Sequence, residues 1–118
     1  MSKRILVVDD EASIRTLYSQ ELRDEGYLVQ AVASAEEASL ALAEQPVDLV
    51  ILDIELPGKD GLAYLREVME QYRDLRVVIN SAYHSYKDDF TSWSAEASLV
   101  KSSDLDPLKA TVRELLTK

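Results

Sequence analysis

The feature that most constrains this chain is an alternation. Short apolar runs ("RILVV", "YLVQAV", "DLVIL", "LRVVIN" and "ASLV") are separated by longer stretches whose apolar residues recur at helical spacing. An apolar run without polar alternation reads as a strand covered on both faces. From Ala12 to about Glu25, Ile14, Leu17, Tyr18 and Leu22 keep a helical stripe, and Gly26 is placed to end it. Ser34 and Glu37 form a capping-box pair for a second helix that stops before Pro46. "ELPGKDG" reads as a loop, after which Leu62, Leu65 and Met69 mark a third helix. A fourth helix is expected from about Tyr86 to Trp93. Leu105, Leu108, Val112 and Leu115 line a last one, with Ser103 or Asp106 as its cap and Pro107 tolerated in its first turn. Strands and helices in strict alternation predict an α/β fold: a parallel sheet with helices on both faces, joined by right-handed crossovers.

In such folds ligands bind outside the carboxyl ends of the strands. At those ends the sequence places Asp9, Asp10 and Glu11, then Asp53, then Asn80 and Ser81, and finally Lys101. Two like unit charges about 4 Å apart repel by roughly 4 kcal/mol at an effective dielectric near 20. A carboxylate cluster therefore needs a compensating cation or must protonate. A hard cation such as Mg²⁺ fits, held by one or two carboxylates and completed by waters and phosphate. The set suits a phosphoryl group: metal and lysine neutralise its oxygens, a hydroxyl donates to one, and a carboxylate serves as nucleophile. Asp53 is the best nucleophile candidate because it ends the most apolar strand. Taken singly each residue has a plainer role: Asp10 as a helix cap, Asp53 and Ser81 as turn residues, Lys101 as an exposed lysine. Their arrival together at the strand ends of one pattern outweighs those readings.

Composition narrows the rest. The chain has 118 residues, one domain's worth. Three glycines and three prolines argue against long linkers. With no cysteine, a disulfide framework and a thiolate metal site are excluded. A net charge of −9 disfavours nucleic-acid and anionic-membrane binding. No apolar run approaches the roughly 20 residues of a membrane span, and "MSKRILVVDDE" does not read as a signal peptide. A soluble cytoplasmic protein is expected.

"ILVVDDE", "DLVILDIELPGKDGL", Ser81-Ala82 and Lys101 together resemble the receiver domain of two-component response regulators, over about Lys3 to Leu116. The resemblance implies a flavodoxin-like doubly wound (βα)5 fold with a five-stranded parallel sheet in the order 2-1-3-4-5. It implies that Asp53 is the phosphoacceptor. Asp10 would ligate Mg²⁺ directly, with Asp53 as a further ligand, Asp9 through water, and Glu55 through its backbone carbonyl. Ser81 would be the hydroxyl that closes on the phosphoryl group, Ala82 the small residue keeping the pocket open, and Lys101 the lysine pairing with a phosphoryl oxygen. Side chains of Glu55 and Tyr83 stand where the family tunes hydrolysis. The implied donor is a phosphohistidine on a sensor histidine kinase or phosphotransfer protein. The implied output is a conformational change read by a downstream protein, and a phosphorylation-dependent dimer is compatible with it. Apart from this self-phosphotransfer and slow self-dephosphorylation, no enzyme activity is expected. The expected organisation is a single receiver over residues 1–118 with no effector domain.

Two positions depart from the family. Three residues before the lysine, where an aromatic is usual, stands Ser98, which cannot fill the vacated space with a ring. After the lysine comes Ser102 rather than proline, and a non-proline cis bond there would cost about 2.5–4 kcal/mol. The chemistry is thus complete while the switch is atypical, with Tyr83, Tyr86 or Trp93 as candidates for another route and plain packing preferred for Trp93. His84 reads as an exposed loop histidine. Among rivals, a pseudo-receiver binding partners without phosphorylation should have lost a site acid or the lysine. A Mg²⁺-dependent phosphohydrolase of the haloacid-dehalogenase type should carry Asp where Glu55 stands. A flavodoxin-like electron carrier should carry a hydroxyl- and glycine-rich loop where "DDEAS" stands.

Overall fold

Three of the apolar runs become strands because their side chains must be buried to both sides at once. In β1 (Arg4–Val8) Ile5 and Val7 enter one apolar cluster and Leu6 and Val8 the other. In β3 (Leu49–Leu52) Leu49 and Ile51 share the first side, Val50 and Leu52 the second. In β4 (Arg76–Ser81) Val78 faces the first, Val77 and Ile79 the second. Burying one such side chain fully contributes about 1.5–3 kcal/mol. With β2 (Leu28–Val32) and β5 (Ala97–Val100), these strands form one parallel sheet in the order β2-β1-β3-β4-β5. The computed structural model describes residues 2–53, 55–56, 61–81, 97–100 and 104–117, with the backbone alone for Leu62, Ser81 and 97–100.

Helices close the two faces. α1 (Ala12–Asp24) and α4 (Asp106–Leu116) cover the first, through Tyr18, Leu22, Leu108, Val112, Leu115 and Leu116. α2 (Ala35–Glu44) and α3 (Gly61–Gln71) cover the second, through Ala35, Ala38, Ala41, Leu42, Tyr64, Leu65 and Val68. α2 contributes mostly alanines, which let the helix sit close to the sheet. The expected helix from about Tyr86 to Trp93 lies outside the described residues. Among those described, no helix is long and apolar enough to cross a membrane.

Local signals act much as the sequence suggests. Ser34 caps α2, its Oγ accepting the Glu37 N–H at 3.2 Å. The Glu37 carboxylate reaches back to the Ala33 N–H at 3.1 Å and to the Ser34 hydroxyl. α1 ends in a Schellman turn. Gly26 N–H donates to the Arg23 carbonyl at 2.9 Å and Tyr27 N–H to that of Leu22 at 3.3 Å. Gly26 sits at φ +98°, in the left-handed region that favours glycine.

Two expectations and one plainer alternative need correction. Leu17 is exposed rather than buried. The stripe on the sheet follows Ile14, Tyr18 and Leu22, and Leu17 lies well round the helix from its centre, while small Ser19 is buried beside it. Asp106 does not cap α4. Leu105 is its N-cap residue, and Asp104 Oδ1 accepts the Asp106 N–H at 3.0 Å, so the preceding acid satisfies the first donor. The alternative cap, Ser103, lies outside the described residues. Asp10 is not the cap of α1 either, since Glu11 occupies that position without a side-chain cap bond.

Substituting Gly26 tests the α1 stop. A Cβ there would meet nothing within 4 Å, so Gly26→Ala should lose only the left-handed backbone preference, about 1–2 kcal/mol of stability in urea unfolding. Gly26→Asn should lose less, because asparagine tolerates that region.

Candidate functional site

Three of the buried polar side chains fall in one row. The registers Val8↔Leu52 and Leu52↔Ile79 align β1, β3 and β4 at their carboxyl ends. The next residue on each strand is Asp9, Asp53 or Asn80, at 2%, 4% and 3% exposure. Both acids leave the sheet while still bonded to it. Asp9 N–H donates to the Val32 carbonyl at 3.1 Å, and Asp53 N–H to that of Val8 at 3.0 Å.

The same turn follows each acid. Asp9 Oδ1 accepts the Glu11 N–H at 2.9 Å, and Asp53 Oδ1 accepts the Glu55 N–H at 2.9 Å. An aspartate that bonds the backbone two residues on fixes its own carboxylate and the direction of the loop together. Arg15, one turn into α1, adds a clamp: its Nη1 donates to the Asp9 backbone carbonyl at 2.9 Å. Asp10 is exposed at the rim. Carboxylate oxygens of Asp9, Asp10 and Asp53 lie within 4.8 Å of one another, a grouping that could hold a metal ion. The donors are all hard oxygens, partly buried and partly open, as suits a Mg²⁺ that keeps several waters.

The other expected site residues are placed unevenly. Glu55 follows Asp53 and is exposed. Ser81 ends β4 at the same edge, its Cα opposite Val100, the residue before Lys101. Ser98 lies within β5 with its Cα opposite Ile79. Ala82, Tyr83, His84, Tyr86, Trp93, Lys101 and Ser102 lie outside the described residues.

Two contacts at this edge were not foreseen. One is the Arg15 clamp, which no hydrophobic periodicity could signal. The other joins Asn80, whose Nδ2 donates to the Tyr18 hydroxyl between β4 and α1. An amide ending an apolar strand and a tyrosine in an apolar stripe each needed a buried partner, and that was the readable signal.

The family model of the response regulator receiver domain matches residues 5–113. The chain belongs to this family. The two-component response regulator PhoP of Pseudomonas aeruginosa is 33% identical over 98% of this chain and 52% of PhoP. Sporulation initiation phosphotransferase F of Bacillus subtilis is 30% identical over 98% of this chain and 95% of its own length. The chain thus spans about half of PhoP, and 30% of AruR, another P. aeruginosa regulator. Among solved structures, the response regulator TrrA of Thermotoga maritima, in complex with Mg²⁺-BeF, superposes with a TM-score of 0.90 at 43% identity, over 96% of this chain and 98% of TrrA. TrrA has also been solved in complex with the histidine kinase ThkA. The doubly wound architecture expected of a receiver is therefore present, and the acid cluster occupies its carboxyl edge.

Crowding of these acids has a measurable consequence. Asp10 is the exposed member, so Asp10→Asn in chelator-treated protein should raise stability by about 1 kcal/mol, the near-water limit for like charges about 4 Å apart. Mg²⁺ should stabilise the parent in urea titrations by mass action, and the variant should respond at least about tenfold more weakly in Mg²⁺ concentration.

Proposed function

We propose that this receiver accepts a phosphoryl group on Asp53 from a phosphohistidine and signals by changing conformation. The observation that carries the reading is the convergence of Asp9, Asp10 and Asp53 at one strand edge. Asp53 ends β3, the middle strand of the sheet. Its Oδ1 is held by the Glu55 N–H, which orients the carboxylate for in-line attack on phosphorus. In the transfer an Asp53 oxygen bonds phosphorus, the phosphorus–imidazole nitrogen bond breaks, and the histidine leaves with the electron pair. Charge gathers on the equatorial oxygens during that exchange. Asp10 and Asp53, with the Glu55 carbonyl and with Asp9 through water, are the residues that would hold Mg²⁺, which supplies electrostatic neutralisation of those oxygens when bound. Ser81 and Lys101 complete the reading as hydroxyl donor and ammonium partner, with Ala82 keeping the pocket open and Tyr83 and the Glu55 side chain tuning hydrolysis.

Relatives support the partners. TrrA binds Mg²⁺-BeF and a histidine kinase, and this chain's donor is read as a sensor kinase or phosphotransfer protein in the cytoplasm. The full (βα)5 arrangement, with a helix from about Tyr86 to Trp93, belongs to the same reading. The output route is read as atypical, because Ser98 occupies the β5 position where the family resemblance calls for an aromatic ring.

Acetyl phosphate with Mg²⁺ should add one phosphoryl mass to the intact protein and none to Asp53→Ala. An unmodified parent would favour a pseudo-receiver that binds partners without phosphorylation. Beryllofluoride should shift amide signals around the acid cluster. Silence of β5 in the same spectra would show that the atypical route avoids that strand.

A further inference from the structure

The Tyr18–Asn80 hydrogen bond is a buried side-chain pair at this edge that the phosphoryl chemistry does not use. Tyr18 is 2% and Asn80 3% exposed. Tyr18 also packs in the apolar cluster of Ile5, Leu22, Val78 and their neighbours. An apolar pair of the same shape would fill such a place without desolvating an amide and a phenol, and replacing both partners of a buried hydrogen bond is often neutral for stability. The pair is therefore poorly explained as a stability device. What a buried hydrogen bond adds over apolar packing is direction.

The direction it imposes is specific. The β3–β4 register ends at Leu52↔Ile79, one residue short of Asn80. Beyond that point β4 continues beside β5, with Asn80 opposite Leu99 and Ser81 opposite Val100. On the α1 side the Asn80 amide is bonded to Tyr18. Tyr18 lies on α1, and the same helix, through Arg15, grips the Asp9 carbonyl at 2.9 Å. One helix thus holds both the acid loop after β1 and the end of β4 that carries Ser81.

We propose that Tyr18 and Asn80 are positioning residues for phosphoryl acceptance, setting the β4 end and its Ser81 against Asp53 and the acid loop through α1. This rests on the reading of Asp53 as phosphoacceptor and Ser81 as hydroxyl donor. Neither residue touches the phosphoryl group; both act through the strand end that presents Ser81.

The double variant Tyr18→Phe/Asn80→Leu separates position from stability. It removes both polar partners and should melt within about 4 °C of the parent. At saturating acetyl phosphate and Mg²⁺ its phosphorylation, followed by intact mass, should be slower by about fivefold or more. Tyr18→Phe alone keeps the ring packing and carries the same test should the double variant not fold, with a similar slowing at temperatures well below its midpoint. Rates within about twofold of the parent in both variants would overturn the inference and leave the pair a packing feature. A parent that takes no phosphoryl group would overturn the Asp53 reading instead, and this inference with it.

Discussion

The parallel ladder of β1, β3 and β4 is the constraint on which the rest depends. Its strands are apolar on both sides, so their backbone groups can be satisfied only by each other and their side chains only by helices on both faces. That leaves no place for a charged group along their buried middles, and Arg4 and Arg76 stand at the amino ends. Polarity is displaced to the row just past the carboxyl ends, where Asp9, Asp53 and Asn80 stand side by side. The concentration of acids there follows from the apolar character of the sheet, and a grouping of carboxylates that could hold a cation follows from the concentration.

The two faces are held differently. On the α2–α3 face the side-chain hydrogen bond across the helices is that of the Ser39 and Tyr64 hydroxyls at 3.0 Å, beside an otherwise apolar cluster. On the α1–α4 face, ion pairs cross between helices: Lys109 with Glu21 and Arg113 with Glu25, each at 2.7 Å. Hydrogen bonding to Glu21 holds the Lys109 ammonium above its usual pKa. Such partly exposed pairs contribute little to stability individually, but two in parallel fix how α4 lies along α1. The helix that presents the acid loop is thus braced on its outer side by α4 and on its inner side by the Tyr18–Asn80 bond.

How much of this could be read from the sequence depends on the kind of signal. Strands β1 and β5 match their apolar runs residue for residue, and the Ser34–Glu37 pair and Gly26 act as their residue types dictate. The acids were legible because strand ends in an alternating pattern have a fixed destination. Leu17 was misplaced because helical spacing gives a periodicity but leaves the centre of the buried stripe to be set by what it packs on. The α4 cap was misplaced because a two-residue change in which acid accepts the first N–H leaves the apolar pattern untouched. Arg15 was invisible for a further reason. Its partner is a backbone carbonyl six residues earlier, and no residue type marks a carbonyl.

Ser98 lies on β5, an edge strand that pairs with β4 among the described residues, and is level with Ile79 within that pairing. The end of β4 has a second mechanical connection, through the Asn80 amide to Tyr18 on α1. A hydrogen bond of this kind transmits displacement in both directions. Any shift of the β4 end that follows phosphorylation must either stretch that bond or carry α1 with it, and α1 carries α4 through the Glu21 and Glu25 pairs. The end of β4 is therefore tied, through Asn80 and Tyr18, to the helical face that already holds the acid loop.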